Sequence, residues 1–231
     1  MKLTVLGVML LISLGPAVEQ SAVVRRESQT GTNTATPFDL SAFATEIPNV
    51  EEAVGKATGV SREDALTMYG RSSAASGRFD VAATAYAMFL NEFGTDHPYS
   101  EKIAVRVADC LFPFKYDQVD VIHSATGPRL EPAWRMGYSP RPGHLRQAVD
   151  VLELAAPLAQ DEHAKGLALL KLGWVHRALG AWDASTAAWD HCAKDVAPMK
   201  SAADALWLAA ENLEWTNRPG EALDAIGQGL S

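Results

Sequence analysis

Four groups of residues in this sequence have types that could do chemistry, and their spacing decides what each could do. The six histidines, His97, His123, His144, His163, His176 and His191, are scattered along the chain. His176 and His191 could approach each other across a helical hairpin beside Asp190, an arrangement that serves a polar surface as well as a metal ion. Glu211 and Glu214 stand at i and i+3, so a helix puts both carboxylates on one face, which is solvated or meets a peptide. Cys110 and Cys192 fall on apolar helix faces and suit either a disulfide or two buried thiols. No Cys-x-x-Cys or Cys/His ligand spacing accompanies them, which argues against structural zinc. The fourth group, Arg129, Trp134, Arg135, Tyr138 and Arg141, gathers cations and aromatics in a proline-broken stretch. There is no glycine-rich phosphate loop, no Gly-x-Ser-x-Gly and no His-Glu-x-x-His. These residues point to no catalytic set, no metal and no cofactor, so the chain reads as a binding protein rather than an enzyme.

The elements that must position such groups are helices. Hydrophobic residues make up 48% of 231, enough for a substantial core, and alanine outnumbers β-branched runs. A formal charge of −8 disfavours a general nucleic-acid binder, which needs a basic face. Residues 1–17 read as an export signal: Lys2, an apolar run from Leu3 to Leu14, then Gly15 and Ala17 as small residues for a peptidase. The run is short for a membrane span, and membrane contact is expected only if the signal stays uncleaved. Residues 18–37 are polar and aperiodic, a flexible linker. Residues 38–60 hold short helices, with Asp39 and Asn49 as expected N-caps.

From Ser61 to the end the pattern repeats. Ser61 with Asp64 predicts a capping box, then a helix through Leu66, Tyr69 and Gly70 that stops at Gly77. A second helix follows with Phe79, Ala82, Tyr86, Phe89 and Leu90, closing at Gly94. Residues 166–198 show the same pair, with Leu169, Leu172 and Gly173, a stop at Gly180, then Trp182, Ser185, Trp189 and Cys192. Trp182 and Trp189 are expected in the core. Gly77 and Gly180 are 103 residues apart, close to three periods of about 34. Between them Ser100 is the expected cap of a helix with Ile103, Ala104, Val107, Ala108 and Leu111. Its partner, with Ala148, Leu152 and Ala155, comes 28 residues late. A last pair carries Leu206, Ala209, Ala210 and Leu213, then Pro219, Ala222 and Ile226, with Asn217 where a glycine is expected.

These residues resemble the tetratricopeptide repeat. Phe89-Leu90, Pro98 and Ser100 are similar to a variant found in bacterial cell-envelope scaffolds of the outer-membrane assembly lipoprotein and Tol-associated coordinator type. The resemblance implies an all-α domain over residues 61–231: a right-handed superhelical stack of helix-turn-helix units, one of them split by an insertion at 113–143. It implies a non-enzymatic scaffold, periplasmic or secreted, that holds a protein or extended peptide in a concave groove lined by the first helix of each unit. Carried onto this chain, the groove positions are Asp64, Thr67 and Arg71, then Lys102, Val105, Asp109 and Phe112. They continue with Leu167, Leu170, Trp174 and Arg177, then Asp204, Trp207, Glu211, Glu214 and Trp215. The second half of that groove is aromatic and acidic, which suits a peptide with apolar and basic side chains. Two other readings remain open at this point. Leu223, Ile226 and Leu230 lie where no capping helix follows and would serve a homo-oligomer. The arginines and aromatics of the insertion would serve an envelope polymer.

Overall fold

A computed structural model of the chain describes residues 40–116, 130–132, 142–196 and 200–229. The export signal, the linker, Asp39, Pro198, Leu230 and the insertion residues Arg129, Trp134, Arg135, Tyr138 and Arg141 lie outside the described residues. Among these residues a 3₁₀ turn, Ser41–Phe43, precedes α1 (Ile47–Gly55). Four helical pairs follow: α2 (Arg62–Ala75) with α3 (Phe79–Phe93), and α4 (Ser100–Leu111) with α5 (Pro142–Leu158). Then come α6 (Glu162–Ala178) with α7 (Trp182–Asp195), and α8 (Lys200–Trp215) with α9 (Pro219–Gly229). From α2 onward each helix packs chiefly on its chain neighbours. Among the described residues the fold is all-α apart from one short antiparallel hairpin inside the insertion, β1 (Phe114–Tyr116) with β2 (Leu130–Pro132), in which Lys115 and Glu131 are backbone partners. The prolines exclude a long helix there, but the pairing of two three-residue strands has no signal in the sequence pattern.

The first and third pairs close through a small residue facing a large one. In the third pair Gly173 lies under the Trp189 indole, so that a Cβ at Gly173 would occupy the indole ring. The Ser185 hydroxyl donates to the Gly173 carbonyl at 2.8 Å, and Trp189 Nε1 donates to the Leu170 carbonyl at 3.1 Å. Two polar groups inside the hairpin are thereby satisfied, and the helices approach closely. Gly70 repeats the contact in the first pair, with the Tyr86 ring 2.6 Å from where a Cβ would stand. The stops also agree with their chemistry. Gly180 has φ +74°, and Asn217 takes the same left-handed region at φ +60°, which explains an asparagine where glycine is expected.

The Ser61 cap is present: its hydroxyl accepts from the Asp64 amide at 3.0 Å and donates to the Asp64 carboxylate at 2.8 Å. Two other expected caps are not. Asn49 lies inside the first turn of α1, where its side-chain amide donates to the carboxylate of Glu46, the residue at the N-cap position. Ser100 is the first residue of α4, not its cap; it is buried and its hydroxyl donates to the Gly94 carbonyl, tying α4 to the end of α3. Arg62 holds α2 against α1 and α3 through Glu51 and Glu92.

The period also needs correcting. The equivalent small residues Gly70, Ala108, Gly173 and Ala210 stand 38, 65 and 37 residues apart, and removing the 28-residue insertion reduces the middle step to 37. Residues 70 and 173 are therefore two steps plus the insertion apart, not three steps of 34. The added length sits in the connections between pairs, such as residues 94–99 between α3 and α4.

The core is one cluster running from Phe43 to Ala209, with a second, small cluster of Ala210, Leu213, Ala222 and Ala225 between α8 and α9. Cys110 and Cys192 are free thiols in the core, in α4 and α7, and burial pushes each from 9.0 up to about 12. No helix among the described residues is long and apolar enough to cross a membrane.

Candidate binding groove

Side chains of α2, α4 and α6 line a groove of about 640 Å³. α2 contributes Asp64, Thr67 and Arg71; α4 contributes Lys102, Val105, Arg106 and Asp109; α6 contributes His163, Leu167 and Lys171. Within each helix these residues recur every three, four or seven positions, the spacing of one helical face. Seven of the positions carried over from the repeat pattern, Asp64, Thr67, Arg71, Lys102, Val105, Asp109 and Leu167, thus stand together along one groove.

The floor is set from beneath. Tyr86 of α3 is 2% exposed, and burial raises its hydroxyl pKa, opposed by the positive charge of Arg106 and Arg71 and by a hydrogen bond with Arg106. Lys171 is 4% exposed; its ammonium pairs with Asp109 at 2.5 Å and lies 5.2 Å from the Phe114 ring centroid. Phe114 stacks edge-on against Phe112, which anchors the start of the insertion beside the groove. Tyr99, about half exposed, stands at the rim with Glu101 and Ile103 beneath it.

The contributors that the sequence pattern passes over include Tyr86, Tyr99, Glu101, Arg106, His163 and Lys171. For two of them the signal is present. Lys171 interrupts the apolar run Leu169-Leu170-x-Leu172, and Arg106 follows Lys102 by one helical turn. Tyr86 belongs to a second helix, whose side chains reach the groove only because Gly70 leaves room.

The remaining expected positions are placed differently. Trp174 is 1% exposed and packs edge-on to Trp189 with ring centroids 5.5 Å apart, so it is a core residue and offers no surface to a ligand. Phe112, Leu170 and Asp204 are also buried. Arg177 is largely covered. Its guanidinium lies between 5.3 and 5.9 Å from the ring centroids of Trp174, Trp182 and Trp215 and pairs with Glu211 at 3.2 Å. That pair neutralises one of the acids expected of this end. Glu214, Trp207 and Trp215 are exposed, Trp215 at 71%. Trp182, expected in the core, is 37% exposed because it flanks Arg177 at the start of α7.

His191 pairs with Asp195 on its own helix at 3.0 Å, and half-buried His176 has its pKa lowered by desolvation, with Glu153 opposing. Among the described residues no three His, Cys, Asp or Glu side chains are grouped to hold a metal ion. No protein-family model and no curated protein matches this chain, so the reading of the groove rests on its own residues.

Proposed function

We propose that this chain is a non-catalytic scaffold that holds an extended segment of a protein partner across α2, α4 and α6, in the manner of tetratricopeptide repeats and with their right-handed superhelical stacking. The observation that carries this reading is the convergence of first-helix side chains from three successive pairs on one groove. Val105 and Leu167 supply apolar contact, and charged side chains flank them. The exposed Trp207 and Trp215 would continue the same face onto α8 as flat apolar platforms. The signal-like residues 1–17 support a place in the cell envelope or outside the cell.

Thr67 is half-buried at the groove wall, and Thr67→Trp fills the channel without changing its charge. Peptides selected from a random display library against the wild-type protein should lose binding to Thr67→Trp, while its helical circular dichroism and melting stay near wild type. Equal capture by both proteins would overturn the groove as the binding site.

A further inference from the structure

Two grooves lined by second helices occupy equivalent places in the first and second halves of the stack. Asp80 and Thr84 of α3, Leu111 of α4 and His144 of α5 line one of them. Asp183 and Ala187 of α7, Leu213 of α8 and Arg218, just before α9, line the other. Offsets of 103, 102 and 74 residues carry Gly70 onto Gly173, Ala108 onto Ala210 and Ala148 onto Ala222. The same offsets carry Asp80 onto Asp183, Thr84 onto Ala187, Leu111 onto Leu213 and His144 onto Arg218. Even the polar link recurs: His144 Nε2 lies 3.9 Å from Asp80, and Arg218 pairs with Asp183 at 3.0 Å.

The two grooves differ in what fills them. Ala42, Phe43, Thr45 and Glu46 lie over the first and leave a space of only about 130 Å³. Phe43 is the large side chain of that cover and is 5% exposed; beneath it Ala83, Thr84 and Ala87 of α3 are buried. The second groove keeps about 440 Å³, and the described residues that line it all come from α7 to α9. Its counterparts of those three α3 residues are Thr186 and Asp190, both half-buried, and Ala187, which is exposed. The charge differs as well. Asp190 stands where α3 has Ala87, and Glu221 where α5 has Gln147. With Asp183 and Asp224 these acids rim a floor of Ala187, Leu213 and Ala225. Lys194 pairs with Asp190, and Arg218 with Asp183 and Glu221; Asp224 has no ion pair among the described residues. Four carboxylates against two cations leave this rim negative.

We infer that the groove between α7 and α9 docks one helical turn of a partner protein, with a single large apolar side chain flanked by Lys or Arg. The shape follows from the first groove, where the same framework already seats such a turn around Phe43. The charge follows from the rim, where a cation at either end of the turn meets Asp190 or Asp224. A second copy of this chain is a poor occupant. Its own turn would bring Glu46 against Asp190, Glu221 and Asp224, like charge on like. This surface stands on α7 and α9 and does not depend on the groove across α2, α4 and α6.

The test is fluorescence anisotropy with labelled, end-blocked peptides of about ten residues. The first sets Leu-Ser-Ala-Phe-Ala, the sequence of residues 40–44, between a pair of Lys at each end. Glu replaces every Lys in the second, and Ser replaces Phe in the third. Wild-type protein should bind the Lys peptide about tenfold more tightly than either of the others. Ala187→Trp fills the groove from an exposed position and should abolish binding, with circular dichroism near wild type. Asp190→Lys/Asp224→Lys keeps the groove open and should reverse the preference toward the Glu peptide. Thr67→Trp should bind the Lys peptide as wild type does. Loss of binding in Thr67→Trp would place the peptide across α2, α4 and α6 and overturn this site, as would binding unchanged by Ala187→Trp. Equal binding of the Lys and Glu peptides would overturn the basic partner, and equal binding of the Phe and Ser peptides the apolar side chain. A stable dimer at about 10 μM that Ala187→Trp dissociates would assign the groove to a second copy and overturn the partner. Absence of binding by every peptide would overturn the docking surface.

Discussion

Lys171 shows how much one side chain in this groove depends on its partner. Its ammonium is almost fully buried, which is costly for a charge, and Asp109 at 2.5 Å with the Phe114 ring offsets that cost. Asp109 is 41% exposed at its side chain, so water screens the attraction from one side. Removing the carboxylate alone strands the ammonium; removing both charges leaves an apolar contact. Asp109→Ala should therefore lower stability by about 1–2 kcal/mol, and Asp109→Ala/Lys171→Met should recover most of the loss. Urea unfolding followed by circular dichroism measures both. A neutral Asp109→Ala would mean that the pair contributes only geometry. The same reasoning explains why the neighbouring arginines differ from Lys171: Arg71 and Arg106 are exposed and tolerate lacking a carboxylate, which leaves them available to a ligand.

At the scale of the element, the hairpin turn is the best test of whether the repeat chemistry is read correctly. Asn217 holds φ +60° between α8 and α9, the position that Gly77 and Gly180 hold in the first and third pairs. A side chain with a Cβ is strained there, and asparagine is among the residues that tolerate it. Asn217→Ala should cost about 1 kcal/mol, whereas Asn217→Gly should be neutral or slightly stabilising. Thermal melts of the two variants decide it, and equal melts would remove the backbone argument. This turn is legible in the sequence, as are the helices on either side, because small–large pairs such as Gly173 with Trp189 lie within one hairpin. What joins one pair to the next is less legible. Ser100 has the type of a cap but spends its hydroxyl on Gly94 of the preceding pair, and Trp174 sits at a groove position yet is drawn under its own partner helix. Tyr86 enters the groove only when α3 packs behind α2 and α4, a relation between non-neighbouring residues that no local spacing encodes. The 28-residue insertion adds to this, since it hides the true step of 37 to 38 residues.

For the whole molecule, the open question is whether the exposed face of α9 makes this chain an oligomer or leaves the groove as its main interface. Ile226 occupies the position of Tyr86 and Trp189 in earlier pairs, 16 residues after the small residue of the first helix. Those two aromatics are buried, whereas Ile226 is 38% exposed and Leu223 71% exposed, with no described helix packed beyond α9. A second copy is the natural occupant of such a face, because it could supply the same uncovered surface in return. The magnitudes argue against a tight pair. Burying Leu223 and Ile226 from two copies is worth about 1–2 kcal/mol for each partly exposed side chain, or roughly 6 kcal/mol in all. Association costs about 4–15 kcal/mol in lost freedom, so these four side chains alone barely balance it. The last pair is itself held by a small cluster of three alanines and Leu213, which makes it a weak platform for a strong interface. The chain should therefore sediment as a monomer at about 10 μM and self-associate only toward about 1 mM. Leu223→Asp should abolish that association without altering peptide binding in the groove. A stable dimer at the lower concentration, lost on Leu223→Asp together with peptide binding, would shift the principal interface from α2, α4 and α6 to α9.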